Sequence, residues 1–168
     1  DLLELSSIEQ ASARPKAEPV PVAAAVREVF EQVTPMAQKA AVELHAEVPE
    51  DLTVTMTHKH LQELLMNLTD NAVKYNRSGG RVTVCARRER EQVTITVSDT
   101  GIGIPPESVD RIFERFYRVD KGRSRELGGT GLGLSIVKHI AGLYGGSVQV
   151  SSTLGEGTVF TVCLWDGR

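Results

Sequence analysis

Polar side chains recur on one side of a helical stretch in the middle of the chain. At about 100° per residue, Glu63, Asn67, Asn71 and Lys74 share a narrow arc beside the apolar stripe, with Tyr75 on its border. Asparagine is unfavourable inside a helix because its side chain competes for backbone partners. Carboxamide oxygens suit Mg²⁺, and an ammonium one turn further on suits a phosphate. The arc therefore indicates a magnesium and phosphate site, with a solvated polar face as the alternative.

A second group of residues joins the end of a strand to a glycine loop. Asp99 keeps the parity of the apolar positions 93, 95 and 97, which predicts that its carboxylate points to the apolar side of the sheet. A buried carboxylate needs a hydrogen-bond donor. Gly101 and Gly103 allow positive φ and the close approach of a flat ligand. The alternative is a turn in which the aspartate is a local cap.

A glycine-rich segment at 128–135 leads directly into a predicted helix. The first N–H groups of a helix are unpaired, and the helix dipole contributes about 0.3–1 kcal/mol to the binding of an anion. The segment lacks the GxxxxGK[ST] pattern and does not follow an early strand as GxGxxG does, so P-loop and dinucleotide sites fit poorly. It predicts a phosphate-binding loop of another kind, or simply a mobile loop.

The elements that position these residues follow from periodicity and turn chemistry. Helical spacing predicts helices at 22–40, from the cap Thr57 to about Tyr75, near 107–116 and ending at about Tyr144. Alternation predicts strands at 42–48, 82–86, 93–97, 148–150 and 159–164. Strands paired mainly by hairpins in one layer, with helices in the other, predict an α+β two-layer sandwich. Its sheet is expected to be mixed and mostly antiparallel, packed on three main helices.

Composition and charge are those of a globular domain. The chain has 168 residues, of which 40% are hydrophobic and 24% charged, enough for one domain. A net charge of −3 argues against nucleic acid as a partner. Residues 11–21 are polar and contain prolines, which predicts a linker. The linker is expected to join residues 1–10, the end of a helix that belongs to a longer protein, to a domain at 22–168.

The order of the motifs resembles a known family. The strings NLTDNAVKY, DTGIGIP, RIFERFYR, GGTGLGLSIVKHI and GEGT are similar to the N, G1, F, G2 and last glycine boxes of the ATP-binding catalytic domain of sensor histidine kinases. The resemblance covers residues 59–165, within which these strings run from Asn67 to Thr158. The resemblance implies the Bergerat-type α/β sandwich shared with gyrase-like and Hsp90-like ATPases, in which ATP lies between the N-box helix and a flexible lid.

The resemblance also implies roles for individual residues. Asn71 is expected to coordinate Mg²⁺, with support from Asn67, and Lys74 to contact phosphate. Tyr75 is expected to flank the adenine, whose amino group donates to Asp99. The other implied ligands of the nucleotide are Gly101, Gly103, Arg118, Gly129, Thr130, Gly131, Leu132, Gly133 and Leu134. Of all these residues, the ones with an implied catalytic role are Asn67, Asn71 and Arg118.

The same resemblance implies a reaction and its partners. The domain presents the γ-phosphate of ATP to a histidine on an upstream helical hairpin, of the same protein or its dimer partner, for later transfer to a response-regulator aspartate. That histidine is expected outside this chain, whose four histidines lack the His-acid-x-basic-Ser/Thr-Pro context. The parent is expected to be a homodimer anchored in the cell membrane with this domain in the cytoplasm, while the present chain is a monomer or part of a dimer.

Two other functions stay open at this point. One is a gyrase/Hsp90-type ATPase, in which Glu63, four residues before Asn67, is a general base. The other is a non-catalytic interaction module that binds a nucleotide as a structural switch.

Overall fold

A computed structural model describes residues 16–117 and 133–167 of the chain. Their elements, in chain order, are β1 (Glu18–Pro21), α1 (Val22–Lys39), β2 (Glu43–Glu47), β3 (Thr53–Met56), α2 (His58–Lys74), β4 (Arg81–Glu89), β5 (Gln92–Asp99), α3 (Gly133–Leu143), β6 (Ser147–Thr153) and β7 (Gly157–Trp165). None of these helices combines the length and the apolar composition that a bilayer crossing requires.

A five-stranded mixed sheet forms one layer of the molecule. Its order is β2-β4-β5-β7-β6, with β2 parallel to β4 and the other neighbours antiparallel. A parallel pair needs a crossover connection between its strands, and the connection from β2 to β4 contains α2. The helices form the second layer, so the predicted α+β sandwich with a mixed, mostly antiparallel sheet is confirmed.

The apolar stripe of α2 lies against the sheet. Leu61, Leu64, Leu65 and Leu68 are at most 1% exposed, and they belong to one cluster with the buried valines of β4 and β5. Burying a side chain of this size contributes about 1.5–3 kcal/mol relative to leaving it exposed. This stripe fixes the rotation of α2 about its axis and thereby the direction of the polar arc beside it.

Both ends of α2 are fixed by hydrogen bonds. The predicted cap is confirmed, because Thr57 Oγ1 accepts a hydrogen bond from the His60 N–H at 3.2 Å. At the other end, the Tyr75 N–H donates to the Asn71 carbonyl at 3.1 Å. Asn67 and Asn71 are therefore held at a defined height along the helix.

Strands β1 and β3 were not predicted. They form a separate antiparallel pair in which Val20 lies opposite Val54, so residues 18–21 of the expected linker 11–21 belong to the folded part. Pro19 and Pro21 argue against a strand because proline has no N–H for a ladder, and such residues are confined to edges. Both prolines lie on β1, which pairs only with β3 among the described strands and is therefore an edge that tolerates them.

The helix expected near 107–116 is instead a series of turns. Hydrogen bonds link residues three apart, from the Ser108 N–H to the Pro105 carbonyl and from the Glu114 N–H to the Arg111 carbonyl, each at 2.9 Å. Two consecutive prolines precede the segment, and Phe116 has a φ of 63° at its end. A positive φ in an aromatic residue is incompatible with a continuing right-handed helix.

Candidate functional site

The end of β5 and the loop after it form a cradle around Asp99. Its neighbours across the sheet, Val82 and Thr158, are both buried. Asp99 Oδ1 accepts a hydrogen bond from the Gly101 N–H at 2.9 Å, and the Thr158 backbone provides another. Burial raises the pKa of the Asp99 carboxyl above its ordinary value of 3.8, and the two hydrogen bonds oppose this rise. The prediction from parity that the carboxylate turns inward is confirmed.

The raised pKa of Asp99 predicts a dependence of stability on pH. A carboxyl whose folded-state pKa lies above its unfolded value favours folding below the unfolded pKa, and this contribution is lost as pH rises through the folded pKa. Acidification from neutral pH towards 3.8 should therefore increase the free energy of unfolding contributed by this residue. Urea denaturation of the wild type, Asp99→Asn and the exposed control Asp51→Asn over this range tests it. A difference between wild type and Asp99→Asn that does not vary with pH contradicts the prediction.

The two glycines after Asp99 lie where a side chain does not fit. A Cβ on Gly101 would be 2.2 Å from the Tyr75 carbonyl oxygen. Gly103 has a φ of +74°, and a Cβ there would be 2.3 Å from the Thr153 carbonyl oxygen. The loop backbone thus approaches both the end of α2 and the turn between β6 and β7, which leaves a flat cradle of main chain beside the carboxylate.

We expect Gly103→Ala to lower the free energy of unfolding by about 1–3 kcal/mol. The new Cβ would clash with the Thr153 carbonyl oxygen, and alanine is strained at this positive φ. Gly142→Ala is the matched control, since nothing lies within 4 Å of its Cβ position and it is inside α3. That control should stabilise the chain by up to about 1 kcal/mol. Urea denaturation of both variants measures these effects, and equal midpoints for Gly103→Ala and wild type contradict the expectation.

The polar arc of α2 meets the beginning of α3. Asn67 Nδ2 donates to the Glu63 carbonyl at 2.7 Å, while a Cβ on Gly133 would lie 2.9 Å from Asn67 Oδ1. The oxygen of this carboxamide is therefore turned towards the first residue of α3. Asn71, one turn later, is half-buried. Lys74 Nζ forms a 3.0 Å ion pair with Asp70, so the ammonium must exchange this partner to contact a phosphate.

The structure brings the predicted residues together at two places on α2. At its C-terminal end, the Tyr75 carbonyl accepts a hydrogen bond from the Ile102 N–H at 3.1 Å, which places Tyr75 beside the cradle of Asp99. About two turns earlier on α2, Asn67 meets Gly133. Leu134 follows in the first turn of α3 and is half-buried. The remaining predicted ligands lie outside the described residues; they are Arg118, Gly129, Thr130, Gly131 and Leu132.

Two hydroxyl groups behind the cradle were missed by the sequence analysis. Ser152 Oγ accepts a hydrogen bond from the Ile104 N–H at 2.8 Å and lies 2.8 Å from Thr158 Oγ1. Ser152 shares the parity of Val148 and Val150, so a polar residue stands where alternation calls for an apolar one. That break in the pattern was the available signal, and Thr158 was part of the recognised GEGT string without being assigned a role.

Asn76 was also missed, since its turn-rich surroundings indicated no more than a loop. It is 9% exposed. Its Nδ2 donates to the Arg81 carbonyl at 3.0 Å, and its Oδ1 accepts hydrogen bonds from the Arg77 N–H at 2.8 Å and the Thr100 hydroxyl at 3.3 Å. Asn76 thereby ties the end of α2 to the start of β4 and to the residue after Asp99.

Comparisons with known proteins agree with the geometry. A sequence profile described as "Histidine kinase-, DNA gyrase B-, and HSP90-like ATPase" matches residues 56–168. The chain is 40% identical over 164 residues to the sensor-like histidine kinase SenX3 of Mycobacterium tuberculosis, an alignment that covers 98% of this chain and 40% of that protein. The chain thus spans less than half the length of this relative.

Solved structures of similar fold cover nearly the whole chain. The mycobacterial sensor histidine kinase MprB superimposes with a TM-score of 0.76 at 28% identity, over 89% of this chain and 97% of that one. A crystal structure of full-length ShkA in complex with AMPPNP gives a TM-score of 0.84 at 30% identity, over 98% of this chain and 34% of that one.

Proposed function

The chain belongs to the family of histidine kinase-, DNA gyrase B- and HSP90-like ATPases, and on this basis we propose that it is the ATP-binding catalytic domain of a sensor histidine kinase. It presents the γ-phosphate of ATP to a histidine on an upstream helical hairpin, from which a response-regulator aspartate receives the phosphoryl group. The observation that supports this most is the inward carboxylate of Asp99 beside a cradle of main chain, in a chain homologous to sensor histidine kinases.

Asp99 selects adenine in this proposal. The carboxylate accepts hydrogen bonds from two backbone groups and has further lone pairs for the amino group of the base. Guanine carries a carbonyl at that position, which is repelled by a carboxylate. Gly101 and Gly103 form the floor on which the flat base lies, and Tyr75 flanks it.

Mg²⁺ and the phosphates are proposed to bind between α2 and the beginning of α3. Hard oxygen donors suit Mg²⁺, and the Asn67 carboxamide oxygen is already turned towards the space that a side chain at Gly133 would fill. Asn71 is proposed to coordinate the ion, with Asn67 in support. When bound, Mg²⁺ neutralises charge on the phosphates. The proposed donors of backbone N–H groups to the phosphates are Gly129, Gly131, Leu132 and Gly133, and Lys74 and Arg118 are proposed to contribute positive charge.

The whole protein is proposed to be a homodimer anchored in the cell membrane, with this domain in the cytoplasm. The catalytic domain does little covalent chemistry in such a reaction, because phosphoryl transfer depends mainly on positioning and on charge stabilisation. The hairpin with its histidine and the receiver domain of a response regulator are the proposed protein partners.

Labelling of the whole protein with γ-labelled ATP tests this proposal. We expect acid-labile label on a histidine of the hairpin, followed by transfer to a receiver domain. Sustained phosphate release by the chain alone, abolished by Glu63→Gln, would instead identify a gyrase/Hsp90-type ATPase. The Glu63 side chain is 17% exposed, and its Oε1 lies 4.0 Å from Lys59 Nζ. A parent that binds ATP and is never labelled would identify a non-catalytic module.

A further inference from the structure

Arg77 lies next to the cradle of Asp99 and contacts a distant turn of the chain. We propose that Arg77 is a positioning residue for the adenine-binding cradle, an inference that rests on the proposed ATP site. Three segments surround the cradle: residues 75–80 after α2, residues 100–104 after β5, and residues 153–157 between β6 and β7. We call these three segments the cradle rim.

Hydrogen bonds connect the cradle rim into a closed circuit. The Ile102 N–H donates to the Tyr75 carbonyl at 3.1 Å, and the Gly155 N–H donates to the Ile102 carbonyl at 2.8 Å. Arg77 Nη2 donates to the Gly155 carbonyl, and this bond connects the third segment of the rim back to the first. The first two contacts join backbone groups, whereas the third comes from a side chain and depends on residue type.

The backbone of Arg77 is firmly held, so its exposed side chain extends from a fixed point of the loop. Its N–H donates to Asn76 Oδ1 at 2.8 Å, and its carbonyl accepts from the Gly80 N–H at 2.9 Å. Asn76 is itself buried. The guanidinium is a charged donor, and hydrogen bonds with a charged partner are stronger than neutral ones.

The turn that Arg77 reaches has few other supports at its tip. Leu154 is 59% exposed, and nothing lies within 4 Å of the Cβ position of Gly155. With Arg77 removed, the Gly155 N–H still holds the tip through Ile102, but the circuit is open. We therefore expect the tip to move more freely without this side chain.

Movement of this turn affects the groups that bind the base. The turn begins with Thr153, whose carbonyl packs on Gly103, and ends at Gly157, whose Cβ position is 2.0 Å from the Asp99 carbonyl oxygen. Thr158 follows and its backbone hydrogen-bonds to Asp99. The site proposed for the phosphates is on another part of α2, so Arg77 should affect recognition of the base and leave the phosphate end unchanged.

Calorimetry on the 168-residue chain tests this with MgATP and with Mg²⁺-tripolyphosphate, which has no base. Arg77→Met should weaken MgATP binding about three- to tenfold, the change that matches one lost hydrogen bond, and leave tripolyphosphate affinity at the wild-type value. Arg77→Lys should restore part of the loss, because it keeps a charged donor. The matched control is Arg87→Met, an exposed arginine paired with Glu89 at 2.6 Å in the β4–β5 hairpin.

The outcomes separate this inference from the proposed function. Wild-type affinity for MgATP in Arg77→Met overturns the inference and leaves the ATP site intact. An equal loss for both ligands, or a loss matched by a lower urea midpoint, shows a general structural role and also overturns it. If the wild type binds no MgATP, the proposed function fails and the inference fails with it.

Discussion

Asp99→Asn should lower the affinity of the chain for ATP by roughly ten- to a hundredfold, as expected for a lost hydrogen bond to a charged group. The carboxylate accepts from the Gly101 N–H at 2.9 Å and from the Thr158 backbone. An asparagine carboxamide keeps one acceptor oxygen and places an NH₂ group where the second oxygen was. That group donates and cannot accept, so it opposes either Thr158 or the amino group of adenine.

Calorimetric titration with ATP and with GTP measures this effect. The wild type should prefer ATP, and Asp99→Asn should lose most of that preference because the repulsion of the guanine carbonyl disappears with the charge. Asp51→Asn, in an exposed turn, is the control and should match the wild type. Unchanged ATP affinity in Asp99→Asn would remove the role given to this carboxylate.

Asn71→Ala should abolish the dependence of nucleotide binding on Mg²⁺ and slow histidine phosphorylation by about a hundredfold or more. Changes in the groups that merely support a metal ligand already reduce affinity or activity about 10–100-fold, and Asn71 is the proposed ligand itself. Its side chain is half-buried on the polar arc of α2. Alanine is a better helix former, so α2 should remain folded.

Two measurements on the whole protein separate metal binding from folding. The first is the ratio of ATP affinities with and without Mg²⁺, which should fall to about one in Asn71→Ala. The second is the initial rate of labelling from γ-labelled ATP as Mg²⁺ is varied. Gln32→Ala replaces an exposed amide of α1 and should leave both unchanged. A wild-type Mg²⁺ ratio in Asn71→Ala would assign the metal to other residues.

Local pattern was sufficient for the parts of this fold that depend on neighbours in the chain. The leucine stripe predicted the buried face of α2, and Thr57 predicted its beginning. The parity of the valines on β5 predicted the direction of Asp99, because an unbroken strand carries its alternation to its last residue. The roles of Asn71 as a ligand of Mg²⁺ and of Lys74 as a contact of phosphate stay predictions.

Features that depend on distant partners were out of reach of the sequence. The strand β3 is four residues long and is recognised as a strand through its pairing with β1. In the sequence, Arg77 cannot be distinguished from any solvated loop arginine. Its contact with Gly155 depends on how the turn after α2 meets the turn between β6 and β7 in the folded chain. The segment 107–116 has helical spacing of apolar residues, yet it forms turns with hydrogen bonds between residues three apart and ends at the positive φ of Phe116.

The pairing of Asp99 with Thr158 has a consequence for the biogenesis of the domain. The aspartate is made early, whereas its partner belongs to the last strand of the sheet, which docks against β5 from far along the chain. Contacts of such long sequence separation form late, since loop closure must precede them. A nascent chain therefore completes the proposed purine site only after β7 has docked against β5, and a ligand that binds there stabilises the completed domain over every partly folded form.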